Sequence, residues 1–543
     1  MHVHTLVRMT TVDTTSPSTS PSTSAATSLP PTPTETSGRT TPSLIGGTAW
    51  TKATWALLIV LCGALFLDGL DISMVGVALP SIGTALHMSP GSLQWIVSGY
   101  VLGYGGLLLL GGRAADLLGR RPVFLSAVAV FGVASLVSAL MTNDAALIAL
   151  RLVKGASAAF TVPAGLSIIT TTFAEGPARN RALSIYTVCG ASGFSLGLVF
   201  GGLLTELGWR ATLVSPAPFA LAIVAAGYRL VPRTTRERVS IAHLDLPGAF
   251  TSTGSLLVLV YAVVSAPGRG WGAPLTLGLL ALSAVLMGAF VLIEQRHSRP
   301  LLRLGILRSR SLVHANISGA VMFGGYVAFQ FVVTIYVQDS LGWSPIAMAL
   351  AFLPAGALVV ASATRMDRVL ARVDTAKLIF GGLSAFVLGY VLFLRVEPGQ
   401  NYANFLLPTM LLLGVGFALS FPSINAQATA GVAEHEQGLA SGLVNTSIQV
   451  GGAIVLAVVT AIIGDGTQVQ HDELIPGMST TIAVVVGVSA VGLLLTGVVL
   501  VGRWLTARRS AQTLVAVPAG EAAGEVADEP RSSVDTEVFC VNC

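Results

Sequence analysis

The chain has 543 residues, 53% of them hydrophobic and 10% charged, with a mean hydropathy of +0.77. A soluble domain carries roughly 45–50% apolar and about 25% charged residues, so this is the composition of a polytopic membrane protein. The net charge of +4 and pI near 9.0 do not point to nucleic acid, because the 30 basic residues fall in short clusters between apolar runs, where membrane topology accounts for them.

Residues 1–51 open the chain as a Ser/Thr/Pro-rich stretch (TTVDTTSPSTSPSTSAATSLPPTPTETS) that buries too little to offset the entropy of ordering, so a disordered tail is expected. Apolar runs long enough to cross roughly 20 residues of hydrocarbon follow. They lie at 55–80, 92–112, 122–141, 145–172, 183–205, 211–230, 247–266, 274–294, 312–338, 346–364, 376–395, 403–424, 437–463 and 480–504, which makes fourteen expected helices. Residues 507–543 are acidic, alanine-rich and again expected to be disordered. Cys62 and Cys189 sit inside apolar runs, where a free thiol behaves as a small hydrophobe. Cys540 and Cys543 have the spacing of a metal or redox pair, but two thiolates alone do not complete a metal site, and no metal or other cofactor is expected.

An even number of spans puts both termini on one side. With the N-terminus cytoplasmic, 25 of the 30 basic residues fall in inner segments, and only Arg210, Arg269 and Arg395 fall outside. The positive-inside rule demands that imbalance, so a cell-membrane protein with both termini cytoplasmic is expected. A weak internal repeat accompanies it: LHMSP (86–90) after the first run is echoed by LGWSP (341–345) after the ninth, and each is followed one run later by an Asp with basic residues behind it, DLLGRR from Asp116 and DRVLAR from Asp367. The expected organisation is a six-helix bundle over 52–232, two inserted helices over 233–300, and a second six-helix bundle over 301–506.

Between the second and third runs stands GGRAADLLGRRPVF. Gly112 and Gly119 permit close approach and a tight turn, Asp116 can cap or pair near a helix end, and Arg120 and Arg121 suit the anionic interface. This stretch resembles the G-x-L-a-D-r-x-G-r-k signature of the major facilitator superfamily. Further segments resemble its fourteen-helix drug/proton antiporters: LDISMVGVALP (70–80), RLVKGASAA (151–159), GFSLGLVFGG (193–202), LDLPGA (244–249) and GLASGLVNTSIQVGGA (438–453). The resemblance covers about residues 52–505 and implies the major facilitator fold and drug or antibiotic efflux by proton antiport. Three positions depart from the family pattern: Gly76 replaces Asn, Lys154 replaces Gln, and Leu198 replaces the proline of the antiporter signature. Without that proline, any bend in the fifth helix is expected to come from Gly193, Gly197, Gly201 and Gly202.

Asp68 and Asp71 interrupt the first run, and Arg151 and Lys154 the fourth. At 1.5 Å per residue the aspartates lie roughly 20 and 24 Å from the cytoplasmic edge, and the cations roughly 9 and 14 Å from the outer edge of a ~30 Å core. Depth therefore pairs Asp71 with Arg151 and Asp68 with Lys154, a neutral two-rung ladder in which each helix shows both charges on one face. An intramembrane charge costs at least ~2.5–3.5 kcal/mol, so four of them mark function rather than mere helix attachment. Desolvation opposes the ionised carboxylate and a nearby cation favours it, which leaves a group able to exchange a proton as the site opens to either side. Gln94, Tyr100, Tyr104, Tyr326, Gln330, Asn425, Gln427, Asn445 and Gln449 are candidates to face a central substrate cavity, while His314 reads as packing or interfacial and Asp339 as solvated. No nucleotide-binding loop, zinc motif or nucleophile elbow is present, so the chain does not read as an enzyme. The function expected is proton-coupled export of organic small molecules by a monomer. The alternatives are a dedicated exporter of one endogenous metabolite and a non-transporting membrane sensor.

Overall fold

The computed structural model describes residues 50–174, 177–233, 245–297, 304–397, 401–432, 437–463 and 474–515; both expected tails, with Cys540 and Cys543, lie outside them apart from a few flanking residues. Five helices come first: α1 (Lys52–Leu86), α2 (Pro90–Leu118), α3 (Arg120–Ser138), α4 (Asp144–Thr172) and α5 (Pro177–Glu206). The short α6 (Trp209–Val214) and α7 (Pro216–Leu230) together make the next pass, and α8 (Leu246–Arg269) and α9 (Pro274–Arg296) follow. Six more complete the order: α10 (Arg310–Ile335), α11 (Pro345–Leu370), α12 (Thr375–Phe393), α13 (Tyr402–Thr429), α14 (Gln437–Ile463) and α15 (Met478–Val515). A π-helical turn, Tyr336–Ser340, continues α10. Each expected run coincides with one of these helices or, for the sixth, with the α6–α7 pair. Among the described residues thirteen segments are long and apolar enough to cross a bilayer. The second run, 92–112, lies within α2, a helix of 29 residues.

The sequence writes the helix starts. Thr51 Oγ1 accepts from the Thr54 amide (3.2 Å), Asn143 Oδ1 from Ala145 (2.8 Å), Asp245 Oδ1 from Gly248 (2.8 Å) and Asp374 Oδ1 from Ala376 (2.8 Å), each satisfying a donor that the first turn leaves open. Between α2 and α3 the chain turns in one residue, Gly119, whose φ of +97° is disfavoured for any side chain.

Packing follows the repeat. In the first half α1 packs on α5, α2 on α4, and α3 on α4 and α7; in the second, α10 packs on α14, α11 on α13, and α12 on α13 and α15. The contacts between halves obey the same equivalence, α2 against α14 and α5 against α11. Two six-helix bundles related in this way, with α8 and α9 inserted, form an all-α membrane fold. The inserted helix α8 touches both halves, through α2 and α14. Alternation puts Lys52 and the end of α15 at one face of the bundle, here the tail face, and the α1–α2 turn at the opposite, far face. Cross-helix contacts respect it: Arg121 donates to the Tyr228 carbonyl and Arg503 pairs with Asp374 (2.9 Å) at the tail face, while Gln338 Nε2 donates to the Val77 carbonyl (2.9 Å) toward the far face.

Glycine sets the helix spacing. α5 runs uninterrupted from Pro177 to Glu206, and three of its four signature glycines face α1. A Cβ at Gly201 would stand 2.7 Å from Met74 Cα, one at Gly193 would strike the Phe66 backbone, and one at Gly202 would stand 2.8 Å from Ile346 Cα on α11. These glycines admit the close approach of α1 and α11 to α5, and Leu198, 2% exposed, packs in the core. Gly201→Val is expected to destabilise the protein by about 1–3 kcal/mol through overpacking. Gly278→Ala on α9, where a Cβ meets nothing within 4 Å, should hold or raise the thermal midpoint in detergent.

Candidate functional site

Four charges meet inside the first bundle, where α1, α2 and α4 converge. α2 and α4 lie backbone to backbone, because a Cβ at Gly155 would strike the Tyr100 carbonyl and one at Gly103 would stand 2.8 Å from the Ala156 nitrogen. That approach brings Arg151 and Lys154, one turn apart on α4, to the same carboxylate on α1. Arg151 Nη1 donates to Asp71 Oδ2, and Lys154 Nζ donates to Asp71 Oδ1. All three side chains are at most 1% exposed. Arg151 Nε donates to the Ile96 carbonyl (2.9 Å), its guanidinium lies 4.6 Å from the centre of the Tyr100 ring, and Lys154 Nζ lies 4.8 Å from that of Phe131. Cation–π contacts of this kind gain strength in desolvated surroundings.

The two-rung ladder is therefore corrected. Asp71 takes both cations, and Lys154 does not pair with Asp68. A charged lysine reaches whichever carboxylate offers its oxygens, and depth along a helix does not fix that choice. Asp68 is 5% exposed, and its Oδ2 is buried without a hydrogen-bond partner among the described residues. It lies within electrostatic reach of Asp71, Lys154, Tyr100, Tyr104 and Tyr186. One carboxylate holding two cations leaves one positive charge, which ionised Asp68 balances at a distance. Protonating Asp68 gives up that balance and removes a poorly solvated anion. The two states are thus opposed by terms of like kind.

On the other side of α1, between the two halves, lies a cavity of about 30 Å³, room for roughly one water. Gln330 and Gln449 line it with Thr334, Phe194, Phe323 and Phe331. No charged residue is among its lining. Gly76 opens onto it: a Cβ there would stand 3.2 Å from Gln330 Nε2, so the absent asparagine is absent from the cavity wall. Tyr326 borders this region, its ring 5.9 Å from Phe194 and 5.6 Å from Phe417. The phenylalanines were missed in the sequence because an aromatic residue in an apolar run carries no polar signal.

The other cavity candidates divide. Tyr100 and Tyr104, edge to face at 6.1 Å, belong to the charge cluster rather than to the cavity lining. Asn425 Nδ2 and Asn445 Nδ2 donate to carbonyls of their own helices, Phe421 (2.9 Å) and Ser441 (2.9 Å). Gln427, fully buried, instead ties α13 to α10 through His314 Nδ1 and the Ser311 carbonyl (3.2 Å). His314 in turn meets Thr496 (2.9 Å), so this histidine belongs to a buried packing network. Gln94, 2% exposed, donates to the Val264 carbonyl on α8 (3.1 Å), away from the centre. These amides moved because neighbouring helices supply partners that a single-helix pattern does not reveal. Asp339 is exposed at the far face, and Cys62 and Cys189 are free thiols. The side chain of Asp116 lies outside the described residues, whereas Gly112 is half-buried and Arg120 stands at the start of α3.

Comparison with known proteins gives a consistent answer. The family model described as Major Facilitator Superfamily matches residues 61–456. A puromycin resistance protein of Streptomyces alboniger is 38% identical over 460 residues, 82% of this chain and 90% of its own length. A cephamycin export protein of Amycolatopsis lactamdurans is 36% identical, covering 80% and 90%. A lincomycin resistance protein of Streptomyces lincolnensis is 30% identical, covering 76% and 85%. Among solved structures, the POT family transporter PepTSo superposes with a TM-score of 0.61 at 14% identity over 81% of this chain and 97% of its own, a likeness of fold.

Asp71 and Asp68 should respond differently to removal of charge. Asp71→Asn strands two buried cations, and breaking a buried pair from one side is expected to cost about 3–5 kcal/mol. Asp68→Asn removes a group whose Oδ2 lacks a partner and should melt close to wild type. Thermal scans of both variants in the same detergent check this; equal destabilisation would contradict the pairing.

Proposed function

Because the chain belongs to the major facilitator superfamily, we propose that this multi-pass transporter exports organic small molecules from the cytoplasm in exchange for protons, with Asp68 as the proton carrier. The observation that carries the reading is the asymmetry between the two carboxylates: Asp71 is saturated by Arg151 and Lys154, whereas Asp68 has a buried oxygen without a partner among the described residues. The arginines clustered at the tail face support assigning that face, and both termini, to the cytoplasm of the cell membrane.

α1 links the two sites, since Asp68 and Asp71 share it with Ile72, Gly76 and Leu79 of the cavity lining. In the proposed cycle the far face opens when the Gln338–Val77 hydrogen bond and its neighbours part, and an external proton neutralises Asp68. The bundles then rock back, and substrate binding from the cytoplasm accompanies release of the proton inward; the far face reopens with the substrate bound, and the substrate leaves outside. Arg151 acts through the field that its guanidinium places on the aspartates. An uncharged, largely apolar lining with three phenylalanines and two amides favours substrates with an apolar body and hydrogen-bonding groups, without requiring a net charge. Relatives named for single antibiotics favour a narrow substrate range, which keeps a dedicated exporter as the second reading.

Inverted vesicles containing the protein test this. Puromycin, lincomycin and a cephalosporin are offered in turn while the internal pH is followed. At least one compound should be accumulated and should release the pH gradient in wild type, and neither should occur with Asp68→Asn. Accumulation that persists at the same rate after the gradient is collapsed would rule out proton coupling.

A further inference from the structure

A second cavity, about 410 Å³, opens toward the far face where α2, α8 and α14 meet, and it is separate from the central one. Its volume falls in the range of small-molecule sites. Gln94 lines it; that side chain is 2% exposed, and while Nε2 is spent on the Val264 carbonyl, Oε1 is buried without a partner among the described residues. An unpaired buried amide oxygen is costly unless something donates to it. Opposite stands Arg269, held by a hydrogen bond from Nη2 to Tyr261 Oη (3.0 Å) with its guanidinium 5.4 Å from the centre of that ring. Trp95 lies 5.6 Å from Tyr261 and completes an aromatic wall. Thr460 and Ala461 bring in α14, so a molecule seated here touches both halves of the protein and the inserted helix.

We propose that this cavity binds an anionic phosphodiester headgroup bearing a hydroxyl donor, such as that of phosphatidylglycerol. Arg269 takes the phosphate, Gln94 Oε1 accepts from the headgroup hydroxyl, and the Trp95–Tyr261 wall holds the glycerol and the first carbons of the chains. The setting fits this occupant, because tryptophan, tyrosine and arginine gather where a bilayer meets water. The reading needs only that the chain spans a membrane and does not depend on proton coupling.

Quenching of Trp95 tests it. The full-length protein is placed in phosphatidylcholine nanodiscs containing either brominated phosphatidylglycerol or brominated phosphatidylcholine, and the Trp95 signal is obtained by difference with Trp95→Phe. The glycerol lipid should quench at a mole fraction about fivefold lower, the preference expected of one interfacial arginine worth about 1 kcal/mol. Arg269→Ala and Gln94→Leu, confirmed as folded by thermal scans, should each remove that preference. Relief of quenching by millimolar glycerophosphoglycerol would assign the site to free phosphodiesters of the same chemistry, and no relief would assign it to the lipid. Equal quenching by both lipids in wild type, or a preference that survives Arg269→Ala, would overturn the proposal.

Discussion

One carboxylate holding two cations in a space closed to solvent is the constraint from which the rest of the first bundle follows. Charges at that depth are costly unless paired, and a pair as short as aspartate with arginine requires the helices to come close. Gly103 and Gly155 allow α2 and α4 that approach, and Gly193, Gly197 and Gly201 allow it between α1 and α5. The bundle is thereby locked as a unit through backbone contact, with Tyr100 and Phe131 covering the cations. In the proposed cycle, motion between conformations falls to the seam between the halves, where α2 meets α14, α5 meets α11, and Gln338 donates to the Val77 carbonyl.

The departures from the family pattern make sense within that constraint. Lys154, where glutamine is usual, is the second cation on Asp71. It adds a positive charge that only another acidic group nearby offsets, and Asp68 stands one turn away. Gly76, where asparagine is usual, leaves the cavity wall bare beside Gln330. Leu198 replaces a proline without breaking α5.

Much of this was legible in the sequence, for reasons that differ from element to element. Helix positions followed from apolar runs because lipid leaves the backbone no partner but itself. The tail-face arginines followed from topology, and the equivalence of the two halves from the LHMSP and LGWSP echoes. The four charges were legible because lipid makes them conspicuous, but which cation meets which carboxylate depends on side-chain reach and rotation, and depth alone misassigned Lys154. Amides were the least legible: Gln330 and Gln449 do face the centre, whereas Gln427 and Gln94 are drawn to His314 and Val264 on other helices. Phe194, Phe323 and Phe331 had no distinguishing signal until the helices were assembled.

The central claim is that the two aspartates differ in kind, one fixed in its charge and the other free to change it. Infrared difference spectra of the purified protein, recorded as the medium is acidified, test it directly through the carbonyl stretch of a protonated carboxyl group. The account predicts a band of that kind in wild type that vanishes in Asp68→Asn. Persistence of the band in Asp68→Asn, together with its loss in a folded Asp71→Asn protein, would reverse the assignment and contradict the account.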